Sequence, residues 1–208
     1  MAFAIGQFAD SSMPVDRPMT RRLPQLQAVV LVGFMGAGKS SVGLLLAQHL
    51  GWTFEDLDHR IEQREQQTVA EIFRDAGEAG FRRAERKALK ESIDGLRGGT
   101  EKVIALGGGA FVQDSNVRLI EEASLPTVFL DATVDELWQR CRRQAEQCAL
   151  ERPLLGNVQT FRELYESRRP HYAKASLRHE TGGKSVEAIV AELIQALGLL
   201  PNAKLGEK

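Results

Sequence analysis

The chain has 208 residues, 43% of them hydrophobic and 26% charged, and a formal net charge of −1. This length suits one domain with a single substantial core. The balance of 27 basic against 28 acidic residues argues against a general nucleic-acid binder, and no apolar run approaches the roughly 18 residues that would mark a membrane helix.

Residues 1–26 carry Pro14, Pro18 and Pro24 with few periodic apolar positions, and are expected to be a disordered extension. Ala28 to Val32 is a short valine-rich run, the pattern of a buried strand. After a Gly-rich stretch, Ser40 to Leu50 has apolar residues at helical spacing and stops at Gly51. Trp52 to Phe54 opens a second strand, ended by Glu55, Asp56 and Asp58. His59 to Ala76 reads as helix in two pieces, and Phe81 to Leu96 as a charged helix. Val103 to Leu106 is a third strand, followed by Gly107, Gly108 and Gly109. Asp114 to Ala123 is helical, and Thr127 to Leu130 a fourth strand.

Thr133 and Glu136 form a capping box for a helix expected to reach Arg143. Gln144 to Asn157 shows no period and reads as a loop long enough to be functional. A helix from Phe161 to Arg169, closed by Pro170, then a strand at Leu177 to Glu180 and a helix from Val186 to Leu197 complete the domain. Residues 199–208 read as a polar tail. Strands alternating with helices imply a three-layer α/β domain with a parallel sheet, whose ligands bind beyond the carboxyl ends of the strands. The groups there are Gly33–Ser40, Asp56–Asp58, Gly107–Gly109 and Asp131.

Gly33-Phe34-Met35-Gly36-Ala37-Gly38-Lys39-Ser40 fits GxxxxGK[ST] between a strand and a helix, the context that a phosphate-binding loop requires. Its glycines let backbone N–H groups of Gly36, Ala37 and Gly38 point at phosphate oxygens, and the following helix, beginning at Ser40 and Ser41, adds its positive end. Lys39 would reach the β and γ phosphates and Ser40 would hold Mg²⁺. No guanine-reading NKxD segment is present. The cysteines, Cys141 and Cys148, have no metal-ligand partners at suitable spacing and read as thiols of a reducing cytosol. His49, His59, His171 and His179 are scattered and read as structural or solvated, and Trp52 and Trp138 as packing residues.

The segments GFMGAGKS (33–40), DLD (56–58), GEAGFRRAE (77–85), LGGGA (106–110), RPLL (152–155) and SRRPHY (167–172) occur in the order found in shikimate kinases. The chain resembles that family from about Gln27 to Leu197. The resemblance implies a P-loop kinase fold over 27–198, with a five-stranded parallel sheet flanked by helices and a mobile lid at 144–157. It implies transfer of phosphate from ATP to the 3-hydroxyl of shikimate with Mg²⁺, in aromatic amino-acid biosynthesis, by a cytoplasmic monomer with neither nucleic-acid nor membrane partners.

The same resemblance assigns roles. Asp58 is the general-base candidate and shikimate-hydroxyl ligand. Asp56 holds Mg²⁺ through water beside Ser40. Arg82 and Arg168 take the shikimate carboxylate, with Gly107, Gly108 and Gly109 also contacting substrate. Arg152 reaches the transferring phosphoryl group from the lid, and Arg143 stacks on adenine. Glu85, three residues after Arg82, would orient it or form a plain surface pair. The other readings of the same loop are a gluconate-kinase-like or nucleoside monophosphate kinase, and an ATP-binding regulatory domain without turnover.

Overall fold

A computed structural model describes residues 26–148 and 156–199. Among them are five strands and seven α-helices: β1 (Ala28–Val32), α1 (Lys39–Leu50), β2 (Thr53–Asp56), α2 (Leu57–Glu65), α3 (Val69–Asp94), β3 (Lys102–Ala105), α4 (Asp114–Glu122), β4 (Thr127–Asp131), α5 (Val134–Cys148), α6 (Val158–Tyr172), β5 (Leu177–Glu180) and α7 (Val186–Ala196). Short 3-10 turns cover Gly95–Gly98 and Ala110–Val112. The sheet is parallel in the order β2-β3-β1-β4-β5. None of the described helices is long and apolar enough to cross a membrane.

The central strand β1 is buried along its whole length, as a parallel strand covered on both faces must be. Because β1 is central, the residues after it meet loops from both halves of the sheet. β2 and β3 stand on one side of it, and β4 and β5 on the other.

The structure corrects several sequence-based boundaries. β2 extends to Asp56 because its ladder with β3 pairs Glu55 with Ile104 and Asp56 with Ala105. Helix α5 continues past Arg143 to Cys148, so the first part of the expected loop is helical. Gln144 to Cys148 contains no helix breaker, and Arg142 and Glu146 form an i,i+4 pair at 3.5 Å. Helix α6 starts at Val158 because Asn157 caps it, its side chain accepting from the Gln159 and Thr160 N–H groups at 2.8 and 3.4 Å. Pro170 lies inside α6 and does not close it. Only its final residues follow, so little helix remains to be disturbed. The helix break expected after Ala76 is present: α3 is two helical pieces kinked at Gly77, whose φ of 65° and ψ of −176° no L side chain adopts easily.

Candidate active site

The P-loop is anchored from below by an aromatic side chain. Phe34, fully buried, packs edge-on against Phe161 (5.0 Å between ring centres) and Tyr165 (5.5 Å), and Trp138 packs on Phe161 at 5.1 Å. Burial of one such ring stabilises the fold by about 1.5–3 kcal/mol, here by fixing the loop to α5 and α6. Gly36, at φ 77°, rests on α5: an added methyl would lie 2.8 Å from both Leu137 O and Cys141 Sγ. Space and backbone conformation therefore both demand glycine. Lys39 curls back over the loop and donates to Gly33 O (2.9 Å) and Phe34 O (3.0 Å). Burial lowers its pKa below the ordinary lysine value, against the opposing charges of Asp58 and Asp56.

Asp56 ends β2 and faces α1. Its Oδ2 accepts from Ser40 Oγ at 2.8 Å, while Oδ1 accepts from the N–H groups of Asp58 and His59 at 3.1 and 3.4 Å. Asp56 is therefore the N-cap of α2. Asp58 is left with its side chain directed at the glycine strand-end. Burial, then the charge of Asp56, raises its pKa, while Lys39 and Arg82 oppose the rise.

Two of the three glycines have a steric explanation. A methyl on Gly107 would come within 2.4 Å of Asp58 Oδ1, and one on Gly109 within 2.6 Å of Arg82 Nη2. Gly108 faces Arg168 and Tyr172, with a built methyl 3.6 Å from Arg168 Nη1. Tyr172 donates its hydroxyl to Gly108 O, and burial pushes its pKa up to about 12, which keeps it a donor. Gly107 and Gly109 thus make room for functional side chains from two different helices, whereas a methyl on Gly108 would meet only ordinary contacts.

Arg82 is held by Glu85, its Nη1 3.0 Å from both carboxylate oxygens. Glu85 is only 1% exposed, so the pair is a buried brace and not a surface one. Burial raises the Glu85 pKa, with the Arg82 charge opposing. Such a partner fixes the plane of the guanidinium, the requirement for bidentate recognition of a carboxylate.

A cavity of about 730 Å³ joins these parts. Gly36, Ala37, Gly38, Lys39, Ser40, Ser41, Asp56, Asp58, Gly107, Gly108 and Arg168 line it. Gly109 and Arg82 adjoin each other just outside that lining. Arg143 is absent from the wall. It is exposed and turns back to Gln139 O at 3.4 Å. The arginine of α5 that lines the cavity is Arg140. Arg140 is joined in the wall by Gln144, Lys184, Val186 and Ile189, none of which sequence reasoning picked out. They carry no motif, and helical spacing does not single them out: Glu136, Arg140, Arg143 and Gln144 stand at i, i+4, i+7 and i+8 and so share one face of α5. Arg152 lies outside the described residues, as do residues 149–155 of the expected lid.

Asp131, at the end of β4, is elsewhere. It is buried and saturated by Tyr165 Oη (3.2 Å), Arg169 Nη2 (2.9 Å) and Arg178 Nε (2.9 Å), beside a second cavity of about 290 Å³. The neighbours Arg168 and Arg169 are thereby separated, one facing the main cavity and the other tying α6 to the sheet. No histidine lines either cavity.

A family model described as shikimate kinase matches residues 35–198. The chain belongs to the shikimate kinase family. It is 37% identical over 170 residues to shikimate kinase from Persephonella marina, covering 81% of this chain and 98% of the relative. It is 40% identical over 176 residues to that of Cereibacter sphaeroides, covering 85% of each chain. Among solved structures, a shikimate kinase from Acinetobacter baumannii in complex with shikimate superposes with a TM-score of 0.73 at 33% identity, covering 83% of this chain and 93% of that one. A sugar kinase from Janibacter, at 15% identity and a TM-score of 0.58, shares the fold alone. As in other members of the shikimate kinase family, the chain is a P-loop kinase built on a five-stranded parallel sheet.

Proposed function

We propose that this kinase transfers the γ-phosphoryl group of MgATP to the 3-hydroxyl of shikimate, in the cytoplasm and as a monomer. The observation that carries the reading is the convergence on Gly107–Gly109 of one carboxylate, Asp58, and two arginines, Arg82 and Arg168, beside a P-loop. A small polyol acid requires an acceptor for its hydroxyls and guanidinium forks for its carboxylate. A regulatory ATP site gives no equal reason for a braced Arg82; gluconate, also a polyol acid, would suit the same groups, and the family match favours shikimate over it.

In this reading Arg82 and Arg168 grip the carboxylate, and Asp58 accepts a hydrogen bond from the 3-hydroxyl, orients it and takes its proton as transfer proceeds. The P-loop N–H groups and Lys39 neutralise phosphate charge. On phosphate binding, Lys39 exchanges Gly33 O and Phe34 O for phosphate oxygens. Arg152 supplies a further cation from the lid, whose closure excludes water. Arg140, in place of Arg143, flanks the base.

Ser40 and Asp56 suit Mg²⁺. They form an all-oxygen pair within hydrogen-bond distance, and no group of three or more His, Cys, Asp or Glu residues gathers into a protein cage among the described residues. Magnesium, when bound, offsets charge on the β and γ phosphates.

The test is ADP release from MgATP with shikimate and then gluconate as acceptor. Rapid release with shikimate alone is expected, and release with gluconate but not shikimate would overturn the assignment. Arg82→Ala is expected to raise the KM for shikimate about 10- to 100-fold, the usual worth of a charged hydrogen bond, with nucleotide affinity unchanged. An unaltered KM would return Arg82 to a structural role as partner of Glu85.

A further inference from the structure

Helix α5 does more than present Arg140. Glu136 completes the capping box of α5 through one oxygen, its Oε2 accepting from Thr133 Oγ1 (3.1 Å) and Thr133 N (3.4 Å). Its other oxygen leaves the helix. Oε1 accepts the N–H of Gly183, in the turn between β5 and α7, at 3.1 Å. Gly182 is pressed on the same carboxylate, where an added methyl would stand 2.9 Å from Oε2. One helical turn further, Arg140 donates to Thr181 Oγ1 (3.2 Å) and Thr181 O (2.9 Å).

Three successive residues of one turn, Thr181, Gly182 and Gly183, are therefore held against a single face of α5. The next residue, Lys184, and then Val186 line the main cavity opposite Arg140. Glu136 does not itself line that cavity. Its hydrogen bonds from Thr133 and Gly183 outweigh the effect of burial and lower its pKa, so it is a carboxylate at neutral pH.

We infer that Glu136 is a positioning residue for the nucleotide: by docking the Thr181–Lys184 turn on α5 it sets the wall that receives the base end of ATP. The inference rests on the reading that the main cavity takes ATP. It separates two jobs of one side chain. The capping job involves Thr133 alone, and the docking job involves Gly182 and Gly183.

The test compares Glu136→Ala, Glu136→Gln, Thr133→Ala and Gly182→Ala in the full-length enzyme. Each is assayed for steady-state kinetics, melting temperature and equilibrium binding of a fluorescent ADP analogue. Glu136→Ala is expected to raise the KM for MgATP and weaken analogue binding about five- to tenfold, the effect of losing roughly one net hydrogen bond, with kcat and the KM for shikimate within about twofold. Glu136→Gln restores both nucleotide values, because its one amide oxygen still accepts from the Gly183 N–H, while its amide nitrogen, a donor, cannot accept from the Thr133 N–H and the melting temperature falls toward that of Thr133→Ala. Thr133→Ala lowers the melting temperature and leaves nucleotide affinity intact. Gly182→Ala displaces the turn by pressing on the same carboxylate and reproduces the nucleotide signature of Glu136→Ala.

The inference fails if Glu136→Ala weakens nucleotide binding no more than Thr133→Ala does, if both KM values rise together, or if glutamine gives no rescue. Analogue binding needs no acceptor. A wild-type protein that binds the analogue but ignores shikimate would overturn the acceptor and leave this inference standing. One that does not bind the analogue would overturn both.

Discussion

Asp58→Asn should lower kcat by about 10²- to 10⁴-fold, the range for removing a positioned general base, while the KM for MgATP changes little. Asparagine keeps the volume and the approach to Gly107 but cannot take a proton. The pH profile makes a second demand. Burial and the adjacent Asp56 raise the Asp58 pKa, so wild-type kcat should fall on the acid side at a pH above the ordinary aspartate range. That limb should be missing from the residual activity of the variant. Stability should move the opposite way. A carboxylate whose folded pKa is raised contributes most favourably below its unfolded pKa and loses that contribution as pH rises through the folded pKa. At neutral pH the ionised Asp58 therefore weakens the fold. Asp58→Asn should melt higher there, by about 2–4 °C for each kcal/mol relieved in a domain this size, and the gain should shrink as pH falls toward the unfolded value. A variant with near-normal kcat would remove Asp58 from the mechanism. One that melts lower at neutral pH would mean its charge stabilises the fold.

The parts of the site legible in the sequence are those carried by local chemistry. The P-loop needs only a strand, eight residues and a helix, and all three are contiguous. The glycine run after β3 was visible as an oddity. Its cause was not, because Asp58, Arg168 and Arg82 reach it from α2, α6 and α3, and the pairing of Asp56 with Ala105 must exist before they can converge. Arg140 and Arg143 stand three residues apart on one helix face, so sequence did not separate them; the contact of Arg140 with Thr181 is what sets it in the cavity wall. Asp131 sits at a strand end like Asp56, yet three donors from α6 and β5 occupy it. Sequence position identified the edge where ligands bind, and tertiary partners decided which acid there remained available. The wall of Lys184, Val186 and Ile189 carried no motif, since its recognition value lies in the turn that places it.

The boundaries fail for a related reason. Apolar period finds the buried stripe of a helix, and α5 keeps a polar, helix-compatible sequence after that stripe ends. Gln144 lies in this extension and faces the cavity, so part of the expected loop is helix and lines the site.

Lys39→Met should reduce kcat by about 10²- to 10³-fold, as removal of one transition-state donor commonly does, with weaker nucleotide binding. Its stability effect mirrors that of Asp58. Burial lowers the Lys39 pKa, so the charged form is disfavoured in the fold below the folded pKa, and the penalty disappears only above the ordinary lysine value. The ligand-free variant should melt above wild type at neutral pH, and the difference should vanish in alkaline buffer. Saturating MgADP should reverse the order, because wild type gains binding energy that the variant lacks. The two charges also attract each other, Asp58 being the largest of the effects that hold the Lys39 pKa up. Each single substitution removes one penalty but forfeits that attraction, and the double substitution forfeits it only once. Lys39→Met with Asp58→Asn should therefore stabilise the ligand-free protein by more than the sum of the single changes. Simple additivity would mean that the two side chains do not sense each other before substrate binds. Excess stabilisation would show that the empty site holds two mutually attracting charges that cost the fold stability.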